Sequence, residues 1–277
     1  MGARKTEVSN RLLTDKEFDE IRDFFSKLTG NKLGSDKRQL VESRLRKKFL
    51  NSKIEVKQYI KMIQTDLKEQ SDFISSLTTH KTDWFRESQH FEFLKKQILQ
   101  AQKNSKHNEW KIWSAACSTG EEIYTLLMIL NELGEKNIRL LGTDISESCI
   151  KSGSEGIYNL DVVNRQVPPN LIQKYFVRGV GEKSNEYYKF DPSFKNLIKW
   201  RQFNLINSEL NAKVMFDYIF LRNVLIYFDA ETGFQIAKRL LNYLKPGGHF
   251  IIGLSETVMN PEDLGLKRVE NSVYRKS

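Results

Sequence analysis

Two adjacent glutamates, Glu121 and Glu122, follow the small-residue turn Ser118-Thr119-Gly120 and open an apolar run that is typical of a helix. Small residues let the backbone approach a ligand, and the start of a helix offers free N–H groups. A phosphate site would favour more glycine and a lysine, whereas paired acids suit a cationic or hydroxyl-rich ligand. The alternative is that both glutamates only complement the helix dipole, which is worth about 0.3–1 kcal/mol.

A third acid, Asp144, ends the next strand-like stretch, in GTDIS (142–146). In α/β folds that bind nucleosides, an acid near the end of the second strand holds the ribose hydroxyls. Asp144 is equally well interpreted as the N-cap of the helix that follows it. An acid-bearing first turn together with Asp144 favours a cationic nucleoside without phosphates, and S-adenosylmethionine fits this description.

The segment from about residue 110 to residue 277 alternates between strand and helix patterns, which predicts a parallel sheet with helices on both faces. Ligands bind such sheets beyond the carboxyl ends of the strands, which is where the three acids fall. A hairpin is predicted around 270–272 and a small β insertion at 177–199. The strand candidates are WKIWSAA (110–116), IRLLGTD (138–144), IKWRQFN (198–204), FDYIFL (216–221) and HFIIGL (249–254), and the helix candidates cover 121–134, 146–155 and 230–244.

The amino-terminal residues, 11–77, carry helix patterns throughout. The stretch TDKEFDEIRDFFSKLTG (14–30) has an N-cap candidate at Thr14 or Asp15 and a stop at Gly30. The stretch KRQLVESRLRKKFL (37–50) has an apolar stripe on one face and a run of cations on the other. A solvated face and a surface that docks a partner are equally good interpretations of that run.

The chain of 277 residues is 39% hydrophobic and 29% charged, which is ordinary for a soluble globular protein. No run approaches the roughly 18 apolar residues of a membrane span. Two cysteines give no disulfide framework, so we expect a reducing cytoplasm. The four histidines show no ligand spacing with each other or with the cysteines, so we expect no metal. The net charge of +9 alone would suit nucleic acid, an anionic membrane or an acidic protein.

Five stretches resemble, in order and spacing, the motifs of the chemotaxis receptor glutamate methyltransferases, the CheR family: THKTDWFRESQHF (79–91), IWSAACSTGEEIYTLLM (112–128), GTDISESCIKSGSEGIYN (142–159), FDYIFLRNVLIYFD (216–229) and LLNYLKPGGHFIIGLSE (240–256). Five ordered motifs are far more specific than a single glycine fingerprint. The resemblance covers residues 11–277 and implies a Rossmann-like class I methyltransferase sheet with an all-helical N-terminal domain. The implied parts are the helical domain (11–77), a linker helix with KTDWFRE (78–108) and the methyltransferase domain (109–277), with its β subdomain at about 177–199.

Members of this family transfer a methyl group from S-adenosylmethionine to glutamates of bacterial chemoreceptors, which leaves methyl esters and S-adenosylhomocysteine. The resemblance makes Arg86 and Tyr227 the catalytic candidates, Arg86 orienting the cofactor or the carboxylate and Tyr227 facing the transfer site. The alternatives are that Arg86 pairs with Glu87 or Asp83 and that Tyr227 belongs to the core. The implied cofactor contacts are His80, Thr82, Arg86, Glu122, Asp144, Asn204, Leu205, Arg222 and Asn223.

The implied partner is a chemoreceptor's glutamate-rich cytoplasmic helices, and we expect a monomer that binds no nucleic acid and does not insert into membranes. The docking surface would be the cationic helix face with Arg44, Arg46, Lys47 and Lys48. Three positions depart from the family pattern: His80 stands where members often carry Asn, Leu221 replaces a common Cys, and Leu254 replaces a common His. Two other hypotheses stay open: a non-catalytic cofactor-binding sensor or scaffold, and a methyltransferase of another acidic substrate or of nucleic acid.

Overall fold

The computed structural model of the chain describes residues 13–52, 54–104, 109–179, 186–210 and 214–277. These residues divide into two compact units, the first ending at Thr78 and the second beginning at Thr79. The segment expected to be a linker, 78–108, therefore lies within the second unit from Thr79 onward. None of the described helices is both long enough and apolar enough to cross a bilayer.

The first unit is helical in its described residues, with a short 3-10 turn at Ser35–Lys37. Its four helices are α1 (Asp15–Thr29), α2 (Arg38–Ser52), α3 (Val56–Thr65) and α4 (Leu67–Leu77). Helix α1 begins at Thr14, whose side chain accepts from the backbone of Glu17 while the Glu17 carboxylate accepts from the backbone of Thr14. This capping box satisfies two N–H groups, and Gly30 ends the helix in a left-handed conformation, φ 72°.

The second unit contains helices α5 (Ser88–Lys103), α6 (Glu121–Glu132), α7 (Glu147–Glu155), α8 (Leu160–Gln166), α9 (Pro169–Tyr175) and α10 (Ala230–Leu241). Its strands are β1 (Trp110–Ser114), β2 (Ile138–Asp144), β3 (Ile157–Asn159), β4 (Phe176–Arg178), β5 (Tyr187–Phe190), β6 (Ile198–Gln202), β7 (Phe216–Leu221), β8 (Leu244–Ile252), β9 (Leu266–Glu270) and β10 (Val273–Lys276).

Seven strands form the main sheet in the order β6-β2-β1-β7-β8-β10-β9. The strands from β6 to β8 are parallel, and β10 runs antiparallel to both β8 and β9. This arrangement confirms the predicted α/β class, including the antiparallel hairpin at one edge. Because the first five strands are parallel, their carboxyl ends meet at one edge of the sheet, where the candidate site lies.

A second, three-stranded sheet has the order β3-β5-β4 and is antiparallel. Its first strand begins at Ile157, well before the region 177–199 in which the β insertion was predicted. Strand β3 spans three residues and is separated from β4 by α8 and α9. So short a strand has no alternating pattern that the sequence could reveal.

Helix α10 ends, and strand β8 begins, at earlier residues than predicted. The helix ends at Leu241 rather than at 244, and the strand begins at Leu244, which pairs with Phe216 of β7. Leu244 is fully buried, so its packing draws the Pro-Gly-Gly segment into the strand, where Gly247 takes φ 78°.

The two faces of the main sheet carry separate apolar cores. Ile112 of β1 packs on the side of α5 and α6, and the next residue, Trp113, packs on the side of α10. This alternation is the period-two pattern of a strand buried on both faces. The second core, which we call the α10-side core, also contains Ile219, Leu240 and Phe250.

Candidate active site

Asp144, the last residue of β2, lies against the turn that follows β1. Its Oδ2 accepts from the backbone N–H of Ser118 (2.9 Å) and its Oδ1 from the N–H of Ser146 (2.9 Å). Burial raises the pKa of Asp144, although the hydrogen bonds from Ser146 and Ser118 oppose that effect. The N-cap of α7 is Ser146, whose Oγ accepts from the N–H of Cys149 (3.2 Å). The interpretation of Asp144 as that N-cap is therefore wrong.

The turn after β1 has an uncommon backbone conformation and is anchored by a side-chain hydrogen bond. Ser118 has φ 48°, an uncommon conformation for a residue other than glycine, and its Oγ donates to the carbonyl of His80 (2.9 Å). This bond joins the segment before α5 to the carboxyl ends of β1 and β2. Three segments that are distant in sequence thus meet around the Asp144 carboxylate.

The two glutamates that open α6 have different surroundings. Glu121 is buried and accepts from the Thr119 hydroxyl (2.7 Å), and burial raises its pKa. Glu122 accepts from the Ser114 hydroxyl (2.7 Å) and from Nη1 of Arg222 (2.7 Å). Glu122 is thus ion-paired inside the protein, and both residues do more than complement the helix dipole.

Arg222 follows β7 and is the most enclosed cation of the site, with 2% of its side chain exposed. Besides Glu122, its guanidinium contacts the Glu87 carboxylate (3.2 Å) and donates to the carbonyl of Arg86. The guanidinium carbon lies 5.2 Å from the centre of the Phe91 ring. The predicted cofactor contact Arg222 is therefore a buried bridge between two carboxylates.

Glu87 connects three parts of the second unit through one carboxylate, and we call this arrangement the Glu87 clamp. Besides Arg222, it accepts from Nδ2 of Asn223 (2.9 Å) and from the N–H of Leu254 (3.2 Å). Burial acts to raise the pKa of Glu87, but the hydrogen bond from Asn223 and the charge of Arg222 outweigh it and lower the pKa. Glu87 itself has φ 55° at the start of α5.

Asn223 is fixed from two sides. Its side chain is held by the Glu87 clamp, and its N–H donates to Oε2 of Glu256 (2.8 Å). Glu256 is buried and also accepts from the N–H of Gly253 (2.6 Å) and of Ile226 (3.3 Å). Burial raises the pKa of Glu256. These contacts hold Asn223 at φ 57°, a conformation that asparagine tolerates better than most residues.

Arg86 is half-buried, and its Nη1 donates to the carbonyl of Lys81 (3.2 Å). Asp83 instead accepts from Nε2 of Gln166 (2.8 Å), and Glu87 is engaged in its clamp. Within the described part of the chain, neither acid forms an ion pair with Arg86, so the alternative of a local salt bridge is not supported. Its guanidinium retains donors that a bound ligand could use.

Thr82 and Tyr227 lie in well-anchored segments. Thr82 is half-buried, two residues before Trp84, whose buried ring stacks against Tyr124 and whose N–H donates to Gln166 (3.0 Å). Tyr227 is half-buried and ends the 3-10 turn Leu225–Tyr227. Its neighbours Leu225 and Phe228 pack on the α10-side core, whereas Tyr227 is not part of that cluster.

Asn204 and Leu205 follow β6 at the same edge of the sheet. The Asn204 side chain accepts from the N–H of Ile206 (2.9 Å), and its own N–H donates to the Ser208 hydroxyl (2.9 Å). Leu205 is buried in the α10-side core. The first residue offers polar groups at the site's edge, and the second offers apolar surface.

His80 approaches the Asp144 carboxylate together with Cys149. One potential metal-ligand atom from each of the three residues lies within 4.8 Å of the others. The spacing of histidines and cysteines along the chain did not indicate such a group, because it is assembled from a loop, a strand end and a helix. The two departures Leu221 and Leu254 lie at the end of β7, fully buried, and just after β8.

The structure thus brings most predicted site residues to one edge of the sheet and adds three that were not predicted to be site residues: Ser118, Glu87 and Glu256. Glu87 and Glu256 lie within the quoted motifs, in KTDWFRE and GLSE. Glu87 itself has a positive φ, and Glu256 accepts from Asn223, which also has a positive φ. The sequence alone shows each of these two glutamates as an acid within a motif and does not reveal its hydrogen-bond partners.

The candidate docking residues lie on α2, in the first unit. Nη1 of Arg44 donates to the carbonyls of Ser76 (2.9 Å) and Thr78 (2.6 Å), and Lys48 pairs with Glu69. Arg46 is exposed. The side chain of Lys47 lies outside the described residues.

The residues at the sheet edge fit the chemistry of S-adenosylmethionine. Its ribose hydroxyls would meet Asp144, and its ammonium and sulfonium charges favour a site in which carboxylates outnumber cations. A phosphate-bearing ligand fits poorly, because the turn after β1 presents two glutamates and no lysine.

Comparison with known proteins gives matches to both units. The family model for the CheR methyltransferase SAM-binding domain matches residues 80–273, and the model for the CheR methyltransferase all-alpha domain matches residues 16–78. Chemotaxis protein methyltransferase 1 of Pseudomonas aeruginosa is 34% identical over 89% of this chain and 92% of its own. The chemotaxis protein methyltransferase of Borreliella burgdorferi is 34% identical over 90% and 89%. That of Salmonella typhimurium is 31% identical over 92% and 88%.

Fold, site and matches together define an S-adenosylmethionine-dependent methyltransferase with a helical amino-terminal domain. The predictions of enzyme class and cofactor are confirmed. The chain belongs to the CheR methyltransferase family, as its five motifs predicted.

Proposed function

We propose that this protein transfers the methyl group of S-adenosylmethionine to glutamate side chains of bacterial chemoreceptors, forming glutamate methyl esters. The observation that carries the proposal is the set of acid and amide groups at the carboxyl ends of the parallel strands, in a chain whose relatives are named chemotaxis protein methyltransferases. We further propose that the protein acts in the cytoplasm as a monomer.

The acceptor needs little chemical help from the protein. A glutamate side chain, with a pKa of about 4.3, is already ionised at neutral pH and requires no general base. S-adenosylmethionine supplies, when bound, an electrophilic methyl group on a positively charged sulfur. The transfer converts a negatively charged carboxylate and a positively charged sulfonium into a neutral ester and a neutral thioether. A site that excludes water and aligns the reacting atoms therefore favours the reaction.

The chain's residues would then share the work of binding and alignment. Asp144 would accept from the ribose hydroxyls, while Asn204 and Leu205 would flank the adenine. Thr82 would meet the methionine end of the cofactor, and Asn223, fixed by the Glu87 clamp, would make a further contact with the cofactor. Arg86 would orient the incoming carboxylate without neutralising it strongly, since a tight ion pair would weaken the nucleophile.

The glutamate-rich helices of the substrate would dock on α2. Arg46 is the best candidate contact, because it is exposed, whereas Arg44 and Lys48 already bind groups within their own unit. Opposite charge on the two partners would speed their association more than it would tighten the complex.

The test is incubation of the purified protein with tritiated S-adenosylmethionine and a chemoreceptor cytoplasmic domain. We expect label in the receptor that mild base releases as methanol, since base lability marks a carboxyl ester. The matched controls are a receptor with its acceptor glutamates replaced by alanine and the Asp144→Ala enzyme. Base-stable label would indicate another substrate chemistry, and cofactor binding without transfer to any acidic protein would indicate a non-catalytic sensor.

A further inference from the structure

One face of the main sheet carries exposed cations at its β6 edge. Register pairs Lys111 of β1 with Arg139 of β2, and Leu141 of β2 with Lys199 of β6, so these side chains share a face. Arg201 of β6 follows on the same side, two residues beyond Lys199. Arg139, Lys199 and Arg201 are exposed. Parallel strands are normally covered by helices on both faces, so charged residues here are unusual.

This face is open because of the connection between β6 and β7. In its described part, residues 203–210 and 214–215, that connection contains no helix. Helix α10 covers the same face further along, where it packs on β7 and β8 in the α10-side core. Parallel strands are usually joined by a helical crossover, and the position of such a helix over β2 and β6 is left vacant by the described residues.

A groove of about 690 Å³ occupies this position. Part of its lining is apolar, including Leu141, Leu210, Val214 and Phe216, and Val214 is 40% exposed. We call it the basic groove, because its lining also contains one acid, Glu109, and five cations: Lys111, Lys136, Arg139, Lys199 and Arg201.

The charge of the basic groove is only partly neutralised. Glu109 pairs with both Lys111 (2.9 Å) and Arg139 (2.5 Å). Among the residues that the structure describes, no acid forms an ion pair with Lys136, Lys199 or Arg201. A surface with three unpaired cations beside apolar side chains is suited to a ligand that is both acidic and apolar.

The basic groove is separate from the methyl-transfer site. It runs along β2 from Asn137 at the amino end to Arg201 of β6, which pairs with Thr143, the residue before Asp144. It includes none of the residues assigned to the cofactor or to catalysis.

We propose that the basic groove docks an acidic amphipathic helix of a partner protein, which lies on the sheet where a crossover helix would otherwise pack. The apolar face of this helix covers Leu141 and Val214, and its carboxylates meet Lys136, Lys199 and Arg201. A single-stranded nucleic acid is less suited, because it needs exposed aromatic faces. The one indole of the groove, Trp200, packs its ring toward Tyr124 on the other side of the sheet (5.7 Å between centroids).

The direct test uses a fluorescein-labelled helical peptide with leucine on one face and glutamate on the other, titrated by fluorescence anisotropy. The groove variant is Lys136→Glu/Lys199→Glu/Arg201→Glu. The control variant has the same charge change on exposed cations of the same unit: Lys103→Glu/Lys151→Glu/Lys267→Glu. We expect binding to the groove variant to be at least about tenfold weaker than to wild type, and binding to the control variant to change less than about threefold. Equal weakening in both variants would overturn the proposal.

Measurements on the unmodified protein keep the test valid if the groove variant does not fold. We expect the peptide to slow amide hydrogen exchange in β2 and β6, and its affinity to fall as salt is raised. The same peptide with lysine in place of glutamate should not bind. Absence of protection in β2 and β6, whether or not α2 is protected, or displacement of the peptide by polyuridylate at equal concentration, would overturn an acidic helix as the occupant. These results do not depend on methyl transfer, so they stand or fall separately from the proposed function.

Discussion

The Glu87 clamp makes Glu87→Ala the most informative single substitution. It removes the carboxylate that accepts from Arg222, Asn223 and the N–H of Leu254. Arg222 would remain buried with Glu122 as its remaining carboxylate partner. Asn223, whose backbone is in the left-handed conformation, would lose the contact that holds its side chain.

The magnitude follows from burial. Because Arg222 keeps Glu122 as a partner, Glu87→Ala removes charge-assisted hydrogen bonds without leaving an uncompensated charge, a loss of about 1.5–3 kcal/mol. For a unit of this size, 1 kcal/mol corresponds to about 2–4 °C in Tm, so we expect a fall of about 3–12 °C. Glu87→Gln keeps acceptor capacity and loses the charge, so its effect should be smaller. Glu87→Ala should also bind S-adenosylmethionine more weakly, since the Asn223 side chain is no longer fixed, whereas Glu87→Gln should weaken cofactor binding less.

The assay combines thermal unfolding with calorimetric titration of the cofactor. The matched control is Glu155→Ala, which removes an exposed carboxylate at the end of α7 and should shift Tm by less than about 2 °C. A Glu87→Ala protein that unfolds within 2 °C of wild type would refute the idea that the clamp stabilises the site (about 0.5–1 kcal/mol at most).

The pH dependence of the same substitution has a definite sign. The pKa of Glu87 is lower in the folded than in the unfolded protein, so its stabilising effect is fully present above about pH 4.3 and is lost as the pH falls through the folded pKa. The difference in unfolding free energy between wild type and Glu87→Gln should therefore be constant near neutral pH and shrink in acid. A difference that grows in acid would contradict the assigned role.

Three further predictions concern the cofactor, the docking helix and acid stability. Arg86→Ala should lower the methylation rate far more than it lowers cofactor affinity, whereas Asp144→Ala should mainly weaken cofactor binding. Calorimetric titration measures the affinity and a tritium-methyl assay measures the rate; equal losses of both for Arg86→Ala would make Arg86 a simple binding residue. Arg46→Glu should raise the KM for receptor without changing Tm, whereas Arg44→Glu should lower Tm because it loses two carbonyl contacts. If Arg46→Glu leaves the KM unchanged, this face of α2 is not part of the interface with the receptor. Burial, and next the charge of Arg222, lower the pKa of His90 to about 4. As the pH falls from about 6.5 toward 4, only the unfolded state takes up a proton at this residue, so the free energy of unfolding falls. His90→Leu should flatten this part of the plot of stability against pH, and an unchanged slope would exclude His90 as the cause.

The parts of the site that the sequence revealed are those defined by local pattern. An acid at a strand end and a small-residue turn are adjacent in the chain, so Asp144, Glu121 and Glu122 could be found from spacing. The Glu87 clamp could not, because its contacts join residues that are 135 to 167 positions apart. No periodic pattern records which distant amide will meet a given carboxylate.

The docking face and the basic groove show that the location of charged surfaces could not be predicted from the sequence either. In the sequence, Arg44, Arg46 and Lys48 form one cationic run, yet the structure gives two of them internal partners. The basic groove, in contrast, collects cations from separate strands whose register alone places them together. Net charge predicts that basic surfaces exist, and only the fold decides where they lie.

The Glu87 clamp cannot form until late in the synthesis of the chain, because its contacts are far apart in the sequence. The carboxylate is made early, but the amide of Leu254 emerges 167 residues later. A nascent chain that has finished only the first four parallel strands still lacks that amide and the Glu256 contacts that fix Asn223. We therefore expect the binding site for the methyl donor to be complete only after the fifth parallel strand, β8, and the residues up to Glu256 have been synthesised.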